Sequence, residues 1–105
     1  MDPESAHAFE RELGRVVDRL NSMPLARAAQ AAQPVHDTAA LLLAHTRLLT
    51  EDIPVDAQLP ELAPQGLGSM IAVLGNDYLD AARASSDADL GPVLDALVDL
   101  RRALP

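Results

Sequence analysis

Apolar residues recur along this chain at intervals of three and four, the spacing of one face of an α-helix. Ala6, Phe9, Leu13, Val16, Val17 and Leu20 share a face, and His7, Arg11, Arg15 and Asp18 lie opposite. The pattern predicts an amphipathic helix from about Pro3 to Leu20. Asp2 is placed to cap it, Pro3 fits its first position, and Glu4 suits the positive end of the helix dipole. A break is expected at Asn21 and Ser22, with Ser22 capping a second helix that carries Pro24 in its first turn.

The second helix opens on an alanine-rich stretch, Leu25 to Gln33, and then meets Pro34. Proline lacks a main-chain donor and crowds the preceding turn, so a kink or tight break is expected there. From Val35 the pattern resumes. Val35, Thr38, Ala39, Leu42, Thr46 and Leu49 cluster in projection, Leu41, His45 and Leu48 widen the cluster on one side, and Leu43 lies beyond it on the other. This arc is wider than a surface helix needs, which predicts a central helix or one shared with a second chain. Acidic residues at 51 and 52 oppose the helix dipole and should stop it by Thr50.

Residues 51–64 hold three prolines with acids between them and read as a linker, one that could reach roughly 45 Å when extended. A helix from about Gln65 to Ala84 follows, with Leu67, Met70, Ile71, Leu74, Tyr78, Ala81 and Ala82 on its apolar face. Gly68, Gly75 and Ala82 stand seven apart beside that face. An interior glycine costs a helix about 1 kcal/mol, so two in register predict a close helix crossing, with the alanine-rich stretch before Pro34 as the expected partner. Fraying at Gly68 is the plainer alternative. Asp87 or Asp89 can cap a last helix with Pro92 in its first turn, an apolar stripe running from Leu90 to Leu104, and Arg101 and Arg102 at its negative end. No run alternates as a strand would.

These elements predict an all-α protein: a four-helix bundle made of two antiparallel hairpins, 3–50 and 65–104, joined by the Pro-rich linker in a single 105-residue domain. Five helices is the alternative if the chain breaks at Pro34.

Composition narrows the function classes. Apolar residues make up 49% of the chain, too many for a disordered one, yet Phe9 and Tyr78 are its only aromatic residues. Without cysteine there is no disulfide scaffold, thiol catalysis or cysteine-ligated metal. Net charge is −8, from 16 acids against 8 arginines, and the basic residues Arg11, Arg15 and Arg19 are interleaved with acids. That argues against nucleic acid, whose backbone needs clustered cations. No apolar run approaches the ~20 residues of a membrane span, and the acidic first residues have no secretory pattern, so a cytoplasmic location is expected.

Candidate chemistry is sparse. Glu4 and His7 give one acid-x-x-His pair without the second copy that a helical metal site needs, so no metal and no cofactor is expected. No nucleophile elbow, phosphate loop or dinucleotide fingerprint occurs. His45, inside the apolar arc of its helix, and Tyr78, at the centre of its own, are the polar groups expected in an aliphatic core. With Thr38 they are the candidate ligand-binding residues. A satisfied core histidine and an anchoring tyrosine is the simpler expectation for the pair.

Leu41, Leu43 and Leu48 cannot all face the same neighbours, which marks them as a candidate interaction surface. The expected function is a non-enzymatic protein–protein interaction module, self-associating through Leu- and Ala-rich helix faces as a homodimer or taking a partner helix. The alternative is a small-molecule-binding bundle or minor enzyme with a pocket near His45 and Tyr78. A third reading, an acidic decoy for a basic surface, rests on net charge alone. A chain that stays monomeric would instead fold Ile53, Val55, Leu59 and Leu62 over the spare apolar arc.

Overall fold

In a computed structural model, which describes residues 2–50, 63–85 and 88–105, the chain forms four α-helices and one short 3-10 turn. The helices are α1, Pro3–Ser22; α2, Leu25–Leu49; α3, Leu67–Arg83; and α4, Gly91–Ala103. Among the described residues there is no strand. The expected all-α bundle is what the chain builds.

Asp2 caps α1, its carboxylate accepting from the Ser5 N–H at 2.7 Å and from the Ser5 hydroxyl at 3.2 Å. These bonds, the main-chain one first, hold the Asp2 carboxyl below its ordinary value. Ser22 does not cap α2. Its hydroxyl donates to the Asp18 carbonyl at 2.8 Å, so Ser22 completes α1 by bonding back onto its last turn. α2 starts instead from Pro24, whose carbonyl accepts from the Arg27 and Ala28 N–H groups, each at 3.0 Å.

The fifth helix does not form, because α2 runs unbroken through Pro34. An internal proline costs about 3 kcal/mol. Here the surrounding alanines favour helix, and Gln30, whose carbonyl loses its intrahelical donor to the proline, is exposed and can be solvated. The Gln33 amide also donates to the Asp37 carboxylate at 2.8 Å, spanning the proline on the outer face. α2 ends at Thr50 as expected, with the Thr50 N–H bonded to the Thr46 carbonyl. Of the expected linker 51–64, residues 51–62, and with them the apolar cover from Ile53 to Leu62, lie outside the described residues. Pro64–Gly66 forms the 3-10 turn that leads into α3.

Residue pairs give the helix directions. Leu13 meets Gly75 and Asn21 meets Gly68, so α3 runs against α1. His45 faces Tyr78, and residues 46–50 share a groove with residues 77–84, so α3 runs with α2. Glu12 bonds Arg101 and Arg19 bonds Pro105, so α4 runs with α1. α1 and α2 are therefore antiparallel, as are α3 and α4, which hairpins require, but the main packing lies across the hairpins: α2 on α3, α1 on α3, α1 on α4 and α2 on α4.

The core is a single cluster drawn from all four helices. Phe9, Val16, Val35, Leu42, Leu67, Ile71, Tyr78, Val93 and Leu97 are its largest fully buried side chains. The glycine stripe marks a close crossing, but with α1 and not with the alanine-rich stretch of α2. A methyl group built on Gly75 would meet the Leu13 Cδ1 and Cδ2 atoms at 2.6 and 2.7 Å, and one on Gly68 would collide with the Asn21 carboxamide. Gly68 is buried in the first turn of α3, so it serves this contact.

Candidate functional site

Tyr78 sits where α1, α2 and α3 meet, with its side chain only 1% exposed. The Phe9 ring packs against it at 5.4 Å between centroids, tilted by 44°. The His45 ring stands edge-on to it at 6.5 Å and 85°. Both spacings suit the aromatic quadrupole, whose positive edge meets a negative face. The phenol O–H donates to the Asp89 carbonyl at 3.5 Å, a long bond. Burial first, and the Asp89 carboxylate second, push the phenol above its ordinary value. The Asp89 side chain meanwhile accepts from the Gly91 N–H at 3.0 Å. Asp89 thus holds the first free donor of α4 from two residues upstream, while Leu90 occupies the capping position. Asp87 lies outside the described residues.

The structure thus brings His45 and Tyr78 together and leaves Thr38 apart. His45 is partly buried, two helical turns further along α2 than Thr38. Thr38 lines a groove of about 370 Å³ between α2 and α4, with Pro34, Leu41, Ala96 and Leu100 among its neighbours. Thr46, on the other flank of α2, is buried and donates to the Leu42 carbonyl at 2.7 Å. It borders a groove of about 400 Å³ shared with Asp77, Asp80 and Ala81 of α3. Among the described residues no group of three or more histidine, aspartate or glutamate side chains is placed to hold a metal ion.

The three candidate interaction residues divide. Leu41 is partly buried against α4. Leu43 is also partly buried. Leu48 is 80% exposed. It continues the outward stripe of α2 formed by Ala26, Gln33, Asp37, Ala40 and Ala44, all exposed. Asp37 is the one carboxylate in α2, against Arg27 and Arg47.

Sequence reasoning missed one constellation. Arg15 and Arg19 on α1 and Arg101 and Arg102 on α4 line a single groove of about 550 Å³. Each pair was visible in the sequence, but their meeting depends on α1 and α4 lying side by side and parallel. The last-turn position of Arg19 and of the 101–102 pair was the available signal.

Comparison with family models, curated proteins and solved structures found no match. Among the described residues no helix is long and apolar enough to cross a membrane.

Proposed function

We propose that this chain is a non-enzymatic helical interaction module that self-associates through the outward face of α2. The observation that carries the reading is Leu48, a large apolar side chain 80% exposed at the end of a nearly uncharged helical stripe. A helix that meets only water commonly carries charge on its outer face. Here 16 acids are spread over the chain and a single one falls in α2. Two copies of a chain with net charge −8 repel each other least across that face. Ala40 and Ala44 let a second helix approach closely, and Leu48 supplies apolar area for burial.

The test is light scattering over a range of concentrations on the wild type, Leu48→Glu and Ala44→Glu. The expected result is twice the 11.1 kDa chain mass for the wild type and a monomer for both variants. Both side chains are exposed in the single chain, so the variants should keep monomer stability within about 0.5 kcal/mol. A wild type that stays monomeric, or variants that keep the dimer mass, overturns the reading.

A second reading, a small-molecule pocket beside His45 and Tyr78, is favoured by the partial exposure of His45 against a buried phenol. It ranks second because the grooves on either flank of α2 take their linings from other residues.

A further inference from the structure

Four of the eight arginines of this acidic protein converge on one groove between the C-terminal parts of α1 and α4. Arg15 and Arg19 reach it from α1, and Arg101 and Arg102 from α4. Asp18 and Ser22 also line it, and Asp18 is the only carboxylate among the lining side chains. Behind them Glu12 accepts from the Arg101 Nε at 2.8 Å and from an Arg15 terminal nitrogen at 3.3 Å. Arg19 donates to the main-chain oxygen of Pro105 at 2.6 Å. Arg102 is exposed.

Each guanidinium offers five donors in a planar fork, and these contacts use few of them. Four cations against Asp18, Glu12 and the Pro105 oxygen bound to Arg19 leave the groove positive in a molecule whose net charge is −8. The molecule is 41 Å long, and charges more than about 8–10 Å away are screened at physiological salt, so the local cations set the potential there. Dipole compensation at two helix ends accounts for Arg19 and Arg102 singly. It does not require four arginines to line one groove, nor Arg101 to turn sideways onto Glu12 of another helix.

We propose that this groove binds a small polyanion, a molecule carrying two or more phosphate or carboxylate groups. Arg102 and Arg19 grip the anionic oxygens. Arg101, held in place by Glu12, presents its terminal nitrogens from the groove wall. One Arg19 terminal nitrogen is already bonded to the Pro105 oxygen, which leaves its other donors for the ligand. This goes beyond the association reading and uses a different face, so either can fail alone.

The test is calorimetric titration of the wild-type chain with inorganic pyrophosphate and, separately, with citrate. Arg102→Gln and Arg19→Gln are the probe variants. Arg27→Gln, an exposed arginine on α2 that is not among the groove's lining residues, is the control. The expected result is saturable binding of at least one anion, weakened tenfold or more in both groove variants and unchanged in Arg27→Gln. Tighter binding of pyrophosphate identifies phosphate groups as the ligand chemistry, and tighter binding of citrate identifies carboxylates. The proposal is overturned if neither anion saturates, if the groove variants bind as the wild type does, or if Arg27→Gln loses as much as they do. Arg102→Gln removes an exposed side chain, so its melting temperature should match the wild type and loss of binding would not report loss of fold.

Discussion

Adding one methyl group to an interior helical glycine should have opposite effects at two places in this protein. Gly14 lies in the middle of α1, exposed, with no neighbouring atom within 4 Å of the position a Cβ would take. Alanine there restricts the unfolded chain and meets nothing, so Gly14→Ala should stabilise by about 1 kcal/mol. Gly75 gains the same propensity term but faces Leu13. The new carbon would lie 2.6 and 2.7 Å from the two Leu13 methyl carbons and 3.2 Å from the carbon that bears them. Carbon atoms rest at about 3.5–4.0 Å, so Leu13 must retreat by roughly 1 Å. Its side chain is 5% exposed and packed within the core cluster, which leaves it little room. Overpacking of this kind costs about 1–3 kcal/mol. Against the propensity gain, Gly75→Ala should destabilise by about 1 kcal/mol, a fall in melting temperature of about 4–8 °C for a domain of this size.

Chemical denaturation of both single variants, and of Gly75→Ala in a Leu13→Ala background, separates the terms. Leu13→Ala alone should cost about 2–5 kcal/mol. With the leucine removed, Gly75→Ala should change sign and stabilise, giving a coupling of about 2 kcal/mol between the two positions. If Gly75→Ala stabilises as much as Gly14→Ala, or costs the same with and without Leu13, then α1 and α3 do not cross at that glycine and the packing argued above is wrong.

Two further predictions concern titratable groups. The Tyr78 phenol is held above its ordinary value of about 10, so beyond that pH the unfolded chain releases its proton while the folded chain keeps it. Stability is therefore full below about pH 10 and declines as pH rises further, and Tyr78→Phe should remove that decline. Phenolate absorbance reads this group alone because the chain has one tyrosine and no tryptophan, and a midpoint at or below the ordinary value refutes the buried environment. Glu12→Gln should cost about 1–2 kcal/mol, because a carboxylate 12% exposed loses its charge beside Arg101, and the loss should shrink at high salt. Arg15→Gln, on a side chain 56% exposed, should cost under about 0.5 kcal/mol, and equal losses in the two variants would contradict the assignment of the stronger pair to Arg101.

The helices were legible in the sequence because each carries its own apolar period. Asp2, Phe9, Leu13 and Val16 mark α1 without reference to any other segment, and the structure buries that face. Signals that depend on a balance of local terms were harder to read. Pro34 argued for a break, yet the alanines around it and the Gln33–Asp37 bond favour one continuous helix. Ser22 could cap forward or bond backward, and nothing in the sequence ranks those two options. The glycine stripe announced a close crossing without naming the partner, because spacing along one helix says nothing about which helix lies opposite.

The same distinction explains why the meeting of His45 with Tyr78 was legible in the sequence and the meeting of the four arginines was not. His45 and Tyr78 are conspicuous by contrast, polar groups placed among aliphatic ones, and contrast is a local property. The arginines are ordinary where they stand, each on a polar face or in a last turn. Their significance comes from the packing of α1 on α4, two helices separated by most of the chain and joined by contacts such as Glu12–Arg101. Had the helices packed so that α4 lay away from α1, Glu12 would face water and the two arginine pairs would sit on separate surfaces. A charge-reversal pair, Glu12→Arg with Arg101→Glu, probes that placement directly. Restored stability in the double variant, after a loss in each single one, requires the two side chains to meet across the α1–α4 interface, whereas additive losses would separate the helices and dissolve the groove.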